Sequence, residues 1–135
     1  MMAAPVLLRE RGVLTGRSIL VVEDEYFLAD DIARACRALG AEIEGPFGDV
    51  EDALAILTGV RAVDGAVLDV NLRNASIFPV AHALRSRGIP FVFTTGYDRN
   101  AIGPEYEDIQ LWEKPLDIAA MTRRLSELML ARAGR

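Results

Sequence analysis

Short apolar runs alternate with stretches of helical periodicity along most of the chain, and turn-forming residues mark the changes of period. Ile19 to Val22 is the first strand-like run; after it Leu28, Ile32, Ala35 and Leu39 share one helical face, and Gly40 ends the helix. Glu42 to Phe47 reads as a second strand, and Asp49 stands where it can cap a helix that buries Val50, Leu54 and Leu57. The third strand is Ala66 to Asp69. Its helix runs from Ile77 to Arg87, with Pro79 tolerable only in the first turn, and Gly88-Ile89-Pro90 closes the unit before a fourth strand, Phe91 to Thr94. Gly103, Pro104 and the polar stretch from Glu105 to Asp108 leave little material for a long amphipathic helix, so the fourth helix is expected to be short or irregular. Leu111 to Glu113 forms a fifth strand, and a last helix after Pro115 spaces Ile118, Met121, Leu125 and Leu128 for burial.

Five strands separated by helices require parallel pairing with right-handed crossovers, since a parallel connection needs a helix-length excursion. The fold class is therefore α/β, a doubly wound five-stranded parallel sheet. Strands one, three and four are nearly continuous apolar runs, as buried central strands are, whereas strand two alternates Glu42, Ile43, Glu44 and carries Pro46, which suits an edge. That gives the order 2-1-3-4-5 and places the ligand site beyond the carboxyl ends of strands one and three. Residues 1–17 are expected to form a tail or arm, 18–131 the domain and 132–135 a short C-terminal tail, with no room for an output domain.

Composition narrows the function. A formal net charge of −5 argues against a protein that tracks nucleic-acid phosphates. Cys36 is the only cysteine, which removes any intramolecular disulfide and fits a reducing cytoplasm. The apolar stretch Ala3 to Leu8 contains Pro5 and runs into Arg9, Glu10 and Arg11, so neither a signal peptide nor membrane insertion is expected. His82, inside a helix and away from the strand ends, and Cys36, on a face with small apolar neighbours, are assigned no chemistry.

The strand ends carry the chemistry. Glu23 and Asp24 follow strand one, Asp69 ends strand three, Thr95 follows strand four and Lys114 follows strand five. Acids before a helix often only cap it, Thr95 before Gly96 can be a turn residue, and a lysine is usually solvated. Here, however, all five lie at the ends of four different strands, on the sheet edge where this fold binds ligands, so several independent bland explanations would have to coincide. Carboxylates held together need a proton or a cation between them, and an oxygen-rich site with few protein ligands suits Mg²⁺, or Mn²⁺ in its place. Such a site would let a phosphoryl group approach Asp69 as nucleophile while Thr95 and Lys114 stabilise its oxygens.

In this order the motifs resemble the receiver domain of bacterial response regulators in two-component signalling, over about Ser18 to Leu130. Ile-Leu-Val-Val-Glu-Asp-Glu from Ile19 is similar to the family's metal-binding acidic pair, and Ala-Val-Leu-Asp-Val-Asn-Leu from Ala66 to its phospho-acceptor segment. The resemblance implies a flavodoxin-like sheet, phosphorylation of Asp69, and metal ligands from Glu23, Asp24, Asp69 and the backbone carbonyl of Asn71. It implies phosphoryl contacts from Thr95 and Lys114, with a cis bond between Lys114 and Pro115. Phe93-Thr94-Thr95-Gly96-Tyr97 is closer still to the single-domain receivers with a Phe-Ala-Thr-Gly motif, best known from alphaproteobacteria, with Thr94 in place of alanine. Gly96 lies beside the expected phosphate. The switch aromatic that ordinary receivers carry three residues before the lysine is here Leu111, which leaves Tyr97 and Trp112 as substitutes.

By that resemblance the protein is a cytoplasmic phospho-accepting signalling domain, not an enzyme acting on external substrates, and a monomer or weak dimer. A sensor histidine kinase or histidine phosphotransfer protein would phosphorylate it, and a downstream protein partner would read the result. A small Mg²⁺-dependent phosphohydrolase would need a substrate cap and a second acidic motif, and a flavin carrier would need a Ser/Thr/Gly-rich loop where Glu23-Asp24-Glu25 stands. A receiver-like module that binds without phosphorylation is the remaining alternative.

Overall fold

The computed structural model describes residues 12–59, 62–73, 75–96 and 102–133. Its elements, in chain order, are β1 (Ser18–Val22), α1 (Tyr26–Ala38), β2 (Glu42–Phe47), α2 (Val50–Thr58), β3 (Gly65–Asp69), α3 (Phe78–Ser86), β4 (Phe91–Thr95), a 3₁₀ turn (Pro104–Tyr106), β5 (Leu111–Glu113) and α4 (Ile118–Ala133). All strand pairs are parallel and the order is β2-β1-β3-β4-β5, as the edge character of the second strand required. Among the described residues only the 3₁₀ turn stands between β4 and β5, where the sequence left too little for a fourth helix of full length.

Alternation along the buried strands builds a core on each face of the sheet. Leu20, Val22, Ala66, Leu68, Phe91 and Phe93 pack against α2, α3 and the 3₁₀ turn; Ile19, Val21, Val67 and Val92 pack against α1 and α4. Local signals fix the helix ends. Asp49 accepts a hydrogen bond from the Glu51 N–H at 2.9 Å, and Pro79 lies in the first turn of α3. Gly40, at φ 99°, follows α1 in a conformation that favours glycine. His82 is exposed, and Cys36 is fully buried, its thiol pushed up to about 12 by desolvation.

Two helical faces match the expected ones in part, with Ile32 of α1 and Met121 and Leu125 of α4 buried as expected. α1 buries Ala29, Ile32, Ala33 and Cys36, leaving Leu28, Ala35 and Leu39 half-buried. α4 buries Met121, Thr122, Leu125, Ser126 and Met129, with Ile118 and Leu128 half-buried at the margin. In α1 three of the four buried side chains are small, Ala29, Ala33 and Cys36, whereas α4 sends Met121, Leu125 and Met129 into the core of this face. Met129 reaches so close to β3 that a Cβ on Gly65 would lie 2.6 Å from its sulfur.

The segment expected as an arm is in its later part a piece of the core. Leu14 is fully buried against the α1 and α4 face, its N–H donates to the Leu39 carbonyl at 2.8 Å, and the Arg17 carbonyl accepts from Glu42 N–H at 2.9 Å. At the other end α4 continues to Ala133, into the expected C-terminal tail.

Candidate functional site

Parallel strands deliver their carboxyl ends to one edge of the sheet, and there the structure brings together Glu23, Asp24, Asp69 and Lys114. One carboxylate oxygen from each of Glu23, Asp24 and Asp69 lies within 4.8 Å of the others, a spacing and donor chemistry that fit a hard divalent cation. Glu23 and Asp69 are buried, and Asp24 is half-buried. An open cleft of about 810 Å³ lies over the cluster, its lining including Asp24, Asp69, Asn71, Gly96 and Lys114.

Each carboxylate is held in place. Asp69 Oδ1 accepts from the Asn71 backbone N–H at 2.8 Å, and its Oδ2 lies 3.4 Å from Lys114 Nζ. Asp24 Oδ2 accepts from the Arg73 N–H at 3.3 Å and faces the Arg73 side chain at 3.7 Å. Glu23 Oε2 accepts from the Glu25 N–H at 3.0 Å and from Lys114 Nζ at 3.3 Å. Glu23 Oε1 lies 3.1 Å from the same ammonium, but hydrogen-bond geometry is met only at Oε2, so Oε1 keeps a charge contact and no hydrogen bond.

Lys114 is the chain's only lysine; every other cationic side chain is arginine. A compact ammonium can face three carboxylates at once, here Glu23, Asp69 and, at 3.7 Å, Glu25. Burial lowers its pKa, but the Glu23 hydrogen bond and the charges of Asp69, Glu23 and Glu25 outweigh that and leave it raised. Glu23 is pushed up to about 7, chiefly by burial and also by the neighbouring Asp69, against the opposing Glu25 N–H and Lys114.

The fourth strand brings a different group. The Thr95 hydroxyl donates to Asn71 Oδ1 at 2.8 Å, and the Gly96 backbone N–H donates to the same oxygen at 2.7 Å. The sequence pointed to the Asn71 backbone carbonyl; the side-chain contacts were not foreseen. Lys114–Pro115 is cis, with Pro115 exposed.

The remaining switch positions are dispersed. Leu111 packs on the α2 and α3 face, and Trp112 on the α1 and α4 face. Trp112 Nε1 is buried without a hydrogen-bond partner, as is Oγ1 of Thr94, its register partner on β4. Tyr97 lies outside the described residues. The aromatic buried behind β4 is instead Tyr106 of the 3₁₀ turn, stacked on Phe78 at 5.4 Å and edge-on to Phe93 at 5.6 Å. Two further aromatics went unremarked in the sequence: Tyr26 and Phe27, in the first turn of α1, are 77% and 81% exposed beside the acidic cluster. Two aromatics directly after Glu23-Asp24-Glu25, outside the apolar helical face, were the signal for them.

A doubly wound sheet with an acidic, metal-competent site and one lysine at its carboxyl edge defines a flavodoxin-like domain of the receiver type. No protein-family model matches the chain, and no curated protein matches it. Among solved structures it is similar to SdrG from Sphingomonas melonis Fr1, at 34% identity over 87% of this chain and 98% of that one, with a TM-score of 0.72. The BeF3-activated conformation of SdrG, given as from Pseudomonas melonis Fr1, matches at 34% identity over 83% and 95% of the two chains, with a TM-score of 0.67. A response regulator receiver protein from Sinorhizobium medicae WSM419 shares the fold at 24% identity over 86% and 96%, with a TM-score of 0.75. So does a Burkholderia pseudomallei response regulator solved with a phosphorylated aspartic acid, a calcium ion and citrate, at 18% identity over 87% and 72%, with a TM-score of 0.68. The chain belongs to the response-regulator receiver family. No helix among the described residues is long and apolar enough to cross a membrane.

Proposed function

We propose that this protein is a receiver of the single-domain Phe-Ala-Thr-Gly type that takes a phosphoryl group onto Asp69 from a histidine kinase or histidine phosphotransfer protein. It then signals through phosphorylation-dependent protein binding or passes the group on in a relay. The observation that carries this reading is the convergence of three carboxylates, Glu23, Asp24 and Asp69, beneath an open cleft, with Lys114 Nζ 3.4 Å from Asp69 Oδ2.

In the transfer, the P–N bond to the donor imidazole breaks as a P–O bond to the Asp69 carboxylate forms, and the imidazole leaves to take up a proton. Asp69 is oriented for this by the Asn71 N–H, which fixes one oxygen and leaves the other toward Lys114. Lys114, Thr95 and the Gly96 N–H would receive phosphoryl oxygens. Mg²⁺, or Mn²⁺, held by Glu23, Asp24, Asp69 and the Asn71 carbonyl would offset the carboxylate charge that otherwise repels the incoming group. Tyr26 and Phe27, exposed in the first turn of α1 directly after Glu25, would offer the phosphodonor an apolar foothold. Attack by water on the acyl phosphate would restore Asp69. The setting is the cytoplasm, and the domain acts as a monomer or weak dimer.

The test is intact-mass spectrometry after incubation with Mg²⁺ and a small-molecule phosphodonor. One base-labile phosphoryl group is expected, dependent on Mg²⁺ and absent from Asp69→Asn. If neither that adduct nor binding of beryllofluoride is seen, the protein is a module that binds without phosphorylation. Turnover of many phosphate esters per chain would make it a phosphohydrolase instead.

A further inference from the structure

Asn71 stands two residues beyond Asp69, and its amide oxygen receives both the Thr95 hydroxyl, at 2.8 Å, and the Gly96 N–H, at 2.7 Å. Its backbone N–H is tied to Asp69 Oδ1 at 2.8 Å, so the residue is held at both ends. In the phospho-acceptor reading, on which this inference rests, Thr95 and Gly96 receive oxygens of the phosphoryl group. One neutral oxygen already occupies both donors.

We propose that the Asn71 side chain is a built-in stand-in for a phosphoryl oxygen, a latch on Thr95 and Gly96 that the arriving phosphoryl group must displace. The chemistry of the exchange favours the phosphoryl group, because hydrogen bonds to an ionised oxygen are roughly twice as strong as those to a neutral amide. The latch nonetheless sets a threshold, since two satisfied donors must be released before they can be used again. It also holds the end of β4 toward Asp69 before any phosphate arrives. Phosphorylation then exchanges the ligand on Thr95 and Gly96 and frees the Asn71 side chain, so the loop after β3 is the part that changes state.

A side chain that merely fastens the loop makes the opposite prediction. Removing a fastener would loosen the segment carrying the Asn71 carbonyl and weaken binding at Asp69. Removing a latch would strengthen it.

The experiment compares the unaltered protein with Asn71→Ala and Asn71→Leu, the second keeping the branched side-chain shape without the acceptor. Amide exchange at Gly96 is followed by NMR in the metal-free protein, and beryllofluoride affinity is measured in the presence of Mg²⁺. Gly96 is exposed, so its protection reports the Asn71 contact. The latch predicts that Gly96 is protected in the unaltered protein and exchanges roughly tenfold faster in both variants, while beryllofluoride binds roughly tenfold more tightly to them. Unchanged Gly96 exchange, or beryllofluoride binding that is equal or weaker in both variants, would overturn it. If the unaltered protein binds no beryllofluoride at all, the phospho-acceptor reading falls and the stand-in role with it. Binding by the unaltered protein without tightening in the variants would sink the latch alone.

Discussion

Raising the pH of the metal-free protein removes a proton that Glu23 holds more tightly in the fold than in the unfolded chain. Its carboxyl is buried first by β1 and the strand ends around it, and then crowded by Asp69, which together push it from 4.5 up to about 7. Below 4.5 the group is protonated in both folded and unfolded states. Between 4.5 and about 7 the folded state alone retains the proton, so stability falls as pH rises through that window and the loss is complete above it. At about 1.4 kcal/mol per pH unit, the full loss is about 3 kcal/mol. The Glu25 N–H, and less strongly the Lys114 ammonium 3.1 Å from the carboxylate that forms, keep it to that size.

The assay is urea denaturation of metal-free protein at about pH 5 and at about pH 8, with Glu23→Gln as reference so that every other titrating group cancels. Relative to that variant, the unaltered protein should lose about 2.5 kcal/mol between the two, since pH 5 already lies inside the window. In the metal site proposed above, Mg²⁺ would compete with the same proton. Its affinity should rise about tenfold per pH unit below about 7, level off above, and be accompanied by uptake of about one proton by buffer at the lower pH. Parallel stability profiles for the two proteins, or an Mg²⁺ affinity indifferent to pH below 7, would refute the assignment of this proton to Glu23.

The remaining predictions concern packing and recognition. Leu14→Ala should cost about 2–5 kcal/mol in chemical denaturation, as for a core leucine; a loss below about 0.5 kcal/mol would return residues 12–17 to the status of an arm. Gly65→Ala should cost about 1–3 kcal/mol because its Cβ meets the Met129 side chain, and a double-mutant cycle with Met129→Ala should show most of that cost vanish once the sulfur is gone. Replacing Tyr26 and Phe27 together by serine should leave the denaturation midpoint unmoved and slow phosphotransfer from a protein donor relative to a small-molecule donor; equal slowing with both would place these rings in the chemistry rather than in recognition.

What could be read from the sequence divides along a physical line. Strand periods, the Asp49 cap, the Gly40 and Gly88 ends and the edge character of β2 are local, so the fold and its carboxyl-edge constellation were legible without any long-range contact. Leu14 was not, because a single leucine in Gly12-Val13-Leu14-Thr15-Gly16 carries no period and only the gap between α1 and α4 makes it core. Tyr106 was hidden in a polar stretch for the same reason: its burial is decided by Phe78 and Phe93, from other elements. Asn71 shows the line most sharply. It offers a backbone donor, a backbone acceptor and a side-chain amide, and its place after Asp69 does not say which of them is used. The β3–β4 register decides. Ala66 pairs with Phe91 and Asp69 with Thr94, so continuing the same offset brings Asn71 beside Gly96, one residue past the Thr95 hydroxyl. The side-chain contact is thus a consequence of strand pairing, and it became visible only once that register was fixed.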